Sequence, residues 1–228
     1  MNYKKAILAI DSCTKNLSVC IFKEQKVIAK ISYLSEKHSE KAIFLIKKVL
    51  NESNMHLNQM ETIIYTNGPG NFTGVRMCQS LAQTIAFGLN IPVISISTLE
   101  LLAHTAFAKD KNLNEVICTL DARMNEAYFA KYIKVSDKIK LEKPEKLINT
   151  NETEKAMLLI GNIMVTGNGF SENEQIKQMQ PNYKHNEIYL PNIEYAINVV
   201  KNSEKNITER QVKPHYIRNQ VAKYKKGV

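Results

Sequence analysis

The sequence contains no tryptophan, and it has few of the residues that mark metal sites or disulfide-stabilised folds. No two histidines lie three to five residues apart, which excludes the HxxxH and HExxH patterns of metalloenzymes. Four cysteines without a CxxC pair or a disulfide-like spacing predict buried reduced thiols: Cys13, Cys20, Cys78 and Cys118. We therefore expect no bound metal and no cofactor.

Long apolar segments are scarce as well. Residues 77–99 carry no charge and are long enough to cross a bilayer, but Gly88, Asn90 and Pro92 predict a helix stop followed by a strand. The apolar run 6–10 behind the basic start is too short for a signal peptide. We expect a cytoplasmic protein without a membrane segment.

Positive charge is what the sequence has in excess, with 31 basic against 22 acidic residues and a net charge of +9. Such a balance favours contact with RNA or with an acidic partner protein. A solvated, lysine-rich surface explains it equally well.

Hydrophobic periodicity predicts an α/β protein built from two similar halves. Residues 1–108 have the order βββαβαβα, and an apolar strand closed by Asp11 recurs in the second half as a strand closed by Asp121. We predict a first domain over 1–108, which the tail 208–228 could join, and a second over 109–207. Within the second, the pattern predicts a helix over 144–154, a strand over 158–169 and a helix over 192–201.

A glycine-punctuated loop over residues 67–76 follows one apolar strand and opens a helix, which we place over 77–89. Amides at a helix N-terminus favour anions, but the loop lacks both the P-loop ending and the GxGxxG spacing. It is either a phosphate site or a tight turn. The two aspartates likewise either face each other across a cleft, as in metal-nucleotide binding, or simply start loops. The candidate nucleotide or phosphate site comprises Asp11, Ser12, Thr14, Gly68, Gly70 and Asp121.

Several segments resemble the TsaB family, also called YeaZ: IDSCT over 10–14, KHSE over 37–40, GPGNFTGVR over 68–76, IPVISISTLE over 91–100, DARMNEAY over 121–128 and PHYIR over 214–218. The resemblance is specific over the first 130 residues and looser beyond them, apart from the tail. It implies the fold of the actin-like, sugar kinase and Hsp70 superfamily, with two RNase-H-like halves. It also implies a role in making threonylcarbamoyladenosine at position 37 of tRNAs that read codons beginning with A.

The resemblance further implies a subunit without catalytic residues of its own. In this family the paralogue TsaD carries the transferase chemistry and holds a metal through a histidine pair, where this chain has only His104. TsaB-like chains pair with TsaD, recruit the ATPase TsaE, and reach tRNA through the complex. Gln83 stands where the family has a lysine and Cys78 where it has a glycine, so we interpret the nucleotide site as vestigial. The competing hypothesis is an ATP-binding transferase or metallopeptidase-like enzyme in its own right.

The expected partner surface lies on the helices over 38–53 and 74–89. Ala42, Leu45, Ile46 and Val49 form the stripe that covers the chain's own sheet, which leaves a second apolar stripe for a partner. Alternatively, Phe44 tucks against a neighbouring loop. A chain purified alone could form a homodimer through the same face. The predicted interface residues are His38, Ile43, Phe44, Leu50, Arg76, Cys78 and Leu81.

Overall fold

The computed structural model describes residues 6–34, 38–149, 163–170, 190–203 and 217, with the side chains of 38–40 left out. The first half has the predicted order βββαβαβα. Its elements are β1 Ala6–Asp11, β2 Asn16–Lys23, β3 Lys26–Leu34, α1 His38–Glu52, β4 Met60–Thr66, α2 Phe72–Leu89, β5 Val93–Ile96 and α3 Thr98–Lys109. The strands form one sheet in the order β3-β2-β1-β4-β5, in which β1, β4 and β5 are parallel.

Side-chain caps set the helix starts. Asn71 accepts a hydrogen bond from the amide of Thr73, so α2 begins at Phe72, earlier than the predicted residue 77. Ser97 caps α3, accepting from the amides of Leu99 and Glu100. Among the described residues, no helix combines the length and hydrophobicity that a membrane span requires.

The second half repeats the strand order of the first. Its strands are β6 Glu115–Arg123, β7 Glu126–Val135, β8 Lys138–Asn149 and β9 Met164–Gly167. They form a sheet in the order β8-β7-β6-β9, which matches β3-β2-β1-β4. The strand that closes in Asp121 therefore occupies the place of the strand that closes in Asp11, and the predicted pair of related halves is confirmed.

The helix predicted over 144–154 is wrong for its described part, because residues 144–149 belong to β8. Ile148 is buried and pairs with Ala127 on β7, so tertiary pairing overrides the local pattern. Pro144 fits there because β8 is an edge strand. Residues 150–154, and 158–162 of the strand predicted over 158–169, lie outside the described part of the chain.

A short 3₁₀ turn, Ile193–Tyr195, leads into α4, Ala196–Ser203, which agrees with the helix predicted over 192–201. This segment packs on the first sheet, although the predicted boundary at residue 108 places it in the second domain. The first sheet is thus covered by α1 and α2 on one face and by α3 and α4 on the other. The division into two domains remains a prediction, and of the tail 208–228 only Ile217 is described.

Helix α3 joins the halves. Leu101 packs with the first sheet, whereas Leu102 and Ala106 pack with the second. Ser97 at its start donates to the carboxylate of Glu145 on β8, which also accepts a 3.0 Å hydrogen bond from the hydroxyl of Tyr132. These contacts fix how the two strand ends that carry the candidate site face each other.

Candidate functional site

The glycine loop is packed against the loop that follows β1. A Cβ at Gly74 would lie 1.9 Å from the carbonyl oxygen of Ser12, and a Cβ at Gly70 would lie 2.1 Å from that of Cys13. Two hydrogen bonds join the glycine loop to the loop after β1: Asn71 N donates to Cys13 O at 2.7 Å, and Ser12 Oγ donates to Gly74 O at 2.7 Å. The glycines allow two backbones to meet, and of the two interpretations of this loop the close turn accounts for them without a ligand.

In the second half the close glycine contact lies within the sheet. Gly167 is the last residue of β9 and pairs with Thr119 of β6, and a Cβ at Gly167 would lie 1.9 Å from the carbonyl oxygen of Thr119. The amide of Asp121 donates to Oδ1 of Asn168 at 3.2 Å. In each half the loop after the neighbouring parallel strand therefore hydrogen-bonds to residues at the end of the first strand.

Asp11 lies beneath the first loop, inside a buried polar cluster. Its Oδ1 accepts from the Thr66 hydroxyl at 2.6 Å and from the Cys13 amide at 3.1 Å. The Cys13 thiol is 3.1 Å from the Thr66 hydroxyl oxygen, and the Cys78 thiol donates to the Ile10 carbonyl at 3.2 Å. Burial raises the pKa of the Cys13 thiol well above its usual value and that of Cys78 to about 12, so both thiols stay protonated at neutral pH.

Asp121 lies instead at a cavity between the two halves. Its carboxylate accepts from the Arg123 amide at 2.8 Å and forms an ion pair of 3.4 Å with the Arg123 guanidinium. Asp11 is fully buried and does not line this cavity, so of the two alternatives the carboxylates facing each other across a cleft is not the arrangement found. Each carboxylate accepts from the amide two residues on, as a loop-starting aspartate does.

The cavity has a volume of about 560 Å³. Thr14, Gly70 and Asp121 of the predicted site line it, whereas Ser12 is buried and the Gly68 carbonyl accepts from the amide of Thr98 at 2.8 Å. Within the described part of the chain three cationic side chains border it, of which only Arg76 was among the predicted site residues: Lys15, Arg76 and Arg123. Arg123 belongs to the motif that begins at Asp121, and that proximity was the signal that could have found it.

No three His, Cys, Asp or Glu side chains of the described residues cluster as a metal site would require. His104 is buried on α3, and burial lowers its pKa from 6.5 to about 4. Its Nε2 has no hydrogen-bond partner among the described residues. The imidazole is therefore neutral at pH 7 and packs as part of the core.

The predicted partner-interface residues fall into two groups. Ile43 and Phe44 are each 59% exposed on α1, so Phe44 does not tuck against a loop of the described chain. Leu50 and Leu81 are partly buried against the first core. Cys78 is fully buried and faces β1, which corrects its assignment to the surface; its spacing of four from the buried Ala82 was a usable signal.

Arg76 and His38 are the other two predicted interface residues. Arg76 lies at the cavity, with its guanidinium 3.2 Å from the centre of the Phe72 ring. The side chain of His38 is outside the described part of the chain.

Comparison with known proteins gives the family. A family model described as TsaD, tRNA N6-adenosine threonylcarbamoyltransferase, matches residues 27–159, more than half of the chain. The tRNA threonylcarbamoyladenosine biosynthesis protein TsaB of Haemophilus influenzae is 30% identical, with 94% of each chain covered. The chain belongs to the TsaB family. The Escherichia coli TsaB protein is 29% identical, covering 95% of this chain and 96% of its own length.

Solved structures agree on the fold. A Pseudomonas aeruginosa protein described as similar to the peptidase YeaZ has a TM-score of 0.80 at 24% identity, covering 94% of this chain and all of the other. YeaZ from the same organism has a TM-score of 0.76 at 22% identity, covering 93% and 99%. The predicted α/β fold with two RNase-H-like halves is confirmed.

Proposed function

We propose that the chain serves tRNA threonylcarbamoyladenosine biosynthesis as a non-catalytic subunit that pairs with TsaD and recruits TsaE. The names of its full-length relatives and the match to the TsaD family model support a place in this pathway. The observation that carries the proposed role is the outer face of α1. Ile43 and Phe44 are exposed there, while Leu45 and Val49 on the opposite face are buried in the core.

Burial against a partner would stabilise the complex. Removing most of the exposed area of Ile43 and Phe44 from water contributes about 1–2 kcal/mol for each side chain. Lysines 41, 47 and 48 are exposed on the same helix, so the patch has an apolar centre and a basic rim. We therefore expect the matching surface of TsaD to be apolar with acidic residues around it.

Phe44→Asp tests this surface. A charge at the centre of the patch should lower the affinity for TsaD at least a hundredfold, because the carboxylate would be buried unpaired. Leu141→Asp is the matched control, since Leu141 is an exposed apolar residue on β8 of the second sheet, whereas α1 covers the first. Light scattering after size exclusion, with and without TsaD, measures both complexes. Equal affinity of the Phe44→Asp variant and the parent chain would refute the placement.

The same samples test the remaining parts of the proposal. Alone, the parent chain is expected to self-associate through the α1 face and the Phe44→Asp variant to remain a monomer. We expect tRNA to bind the TsaD complex and to bind the isolated chain weakly at most. Calorimetric titration of the isolated chain with Mg-ATP separates the subunit from the competing enzyme hypothesis. Submicromolar binding with turnover would show an enzyme in its own right.

A further inference from the structure

The cavity between the two halves has no part in the proposed subunit role. We infer that it binds a small amphipathic anion, meaning an aromatic or branched apolar group that carries one carboxylate, sulfonate or phosphate. Its volume of about 560 Å³ is within the range typical of small-molecule sites. The walls come from both halves, from the ends of β1 and β6 and from the start of α2.

The apolar part of the ligand would contact side chains that are now in water. Leu34, Phe72 and Met124 border the cavity, and each is between 53% and 69% exposed. Val75, Leu120 and Tyr128 line the cavity as well. Exposed apolar residues grouped around a cavity, rather than scattered singly, mark a surface that gains from being covered.

The charge of the lining selects an anion. Among the lining residues that the structure describes, Lys15, Arg76 and Arg123 outnumber the one acidic side chain, Asp121, so this part of the lining is net positive even with the Arg123–Asp121 pair formed. The Arg76 guanidinium lies 3.2 Å from the centre of the Phe72 ring, which places a cation beside an aromatic face. A ligand with a flat apolar group next to its charge fits this combination.

The backbone contacts of the glycine loop favour a ligand with a single charge over a polyphosphate. Asn71 N and Thr73 N, which would be donors of a phosphate loop, already donate to Cys13 O and Asn71 Oδ1. A Cβ at Gly70 or Gly74 would meet the loop after β1, so backbone and not a ligand fills the space that these glycines leave. Guanidinium and ammonium side chains are thus the groups that would meet the anion.

The β6–β7 hairpin brings two of the lining residues to the cavity. Arg123, Met124 and Asn125 have φ values of 64°, 59° and 58°, a left-handed run without glycine. Met124 and Asn125 are the two loop residues of the hairpin, and a two-residue hairpin turn requires positive φ at both of them. Here the run directs Arg123 and Met124 to the same cavity.

Two fluorescent probes differing in one charge test the site on the full chain. The probes are 8-anilinonaphthalene-1-sulfonate and N-phenyl-1-naphthylamine, which lacks the sulfonate. We expect the sulfonate to bind at least tenfold more tightly, and Arg123→Gln to remove most of that difference. Equal affinity of the two probes for the parent chain would overturn the proposal.

Phe72→Ser should weaken sulfonate binding at least tenfold. The matched control is Phe87→Ser, because Phe87 is 83% exposed on the same helix but about 22 Å away along its axis, outside the cavity. If Phe72→Ser unfolds the chain, Met124→Ser on the exposed hairpin makes the same test. Loss of binding in the Phe87 variant, or unchanged binding in the Met124 variant, would place the probe elsewhere and refute the site.

Displacement of the sulfonate probe then identifies the anion. Displacement by 1-naphthoate would indicate a carboxylate ligand, and displacement by 1-naphthyl phosphate a phosphate monoester. Either result supports the cavity as an anion site. Displacement by neither compound would contradict it. The result is independent of the TsaD surface, because Phe44→Asp should leave probe binding unchanged.

Discussion

Gly74→Ala tests whether the glycine loop is constrained by packing. The added Cβ would lie 1.9 Å from the Ser12 carbonyl oxygen, whereas ordinary contacts begin at 3.4 Å, so the start of α2 or the loop after β1 must move by about 1.5 Å. Overpacking of this kind costs roughly 1–3 kcal/mol. Loss of the Ser12–Gly74 hydrogen bond adds about 0.5–1.5 kcal/mol, and the better helix propensity of alanine returns up to ~1 kcal/mol. We expect the free energy of unfolding to fall by about 2–3 kcal/mol.

Gly88→Ala is the matched control, because both glycines lie in α2. A Cβ at Gly88 would have no neighbour within 4 Å, so only the propensity changes and the free energy of unfolding should rise by about 0.5–1 kcal/mol. Urea unfolding followed by far-UV circular dichroism measures both variants under the same conditions. If Gly74→Ala is as stable as Gly88→Ala, the close approach of the two backbones does not limit this position and the packing interpretation fails.

Two further predictions concern titratable groups. Because burial lowers the pKa of His104 from 6.5 to about 4, its contribution to stability is complete above pH 6.5 and is lost as the pH falls toward 4. Between pH 7.5 and pH 5 the free energy of unfolding should therefore fall by about 2 kcal/mol more in the parent chain than in His104→Leu; parallel curves would refute this. Lys131 on β7 lies 2.8 Å from Glu115 and 2.8 Å from Glu142. Although burial alone would lower its pKa, these carboxylates raise it. Lys131→Met should lower the free energy of unfolding by about 1–2 kcal/mol at pH 7, which is less than for a fully buried pair because the glutamates reach solvent. The loss should be smaller near pH 4, where the glutamates are protonated. Lys140→Met at an exposed position is the control, and equal urea midpoints for both variants would show that the pairs contribute nothing.

The parallel strands β1, β4, β5 and β6 were predictable because each is a continuous apolar run, and a buried parallel strand needs little more. Residues 144–149 were not, since their place in β8 depends on pairing with β7, which the local pattern does not contain. The burial of Cys78 could have been predicted, because residues 78, 82 and 86 are spaced by four along α2 and all are buried.

The candidate site was harder to foresee than the fold. The sequence draws attention to the glycines, but the group that Gly74 approaches is the backbone of Ser12, 62 residues earlier in the chain. Lys15 and Arg123 come from different halves and share a cavity only because α3 holds the two sheets together. A search for a lysine within one loop could not find a positive charge assembled in this way.

The glycine contacts at Ser12 and Thr119 separate two properties that a glycine-rich segment usually suggests together. Gly74 approaches the Ser12 carbonyl after β1 and Gly167 approaches the Thr119 carbonyl within β6, and each contact constrains the backbone whether or not a ligand is present. The glycines of this chain are therefore evidence for close packing, and the cations around the cavity are the evidence for a ligand. It follows that substitutions at Gly74 and Gly167 should change stability, whereas a substitution at Lys15 should change anion binding and leave unfolding nearly unaffected. If substitutions at Gly74 and at Lys15 both changed stability, or both changed anion binding, this separation of packing from ligand binding would be wrong.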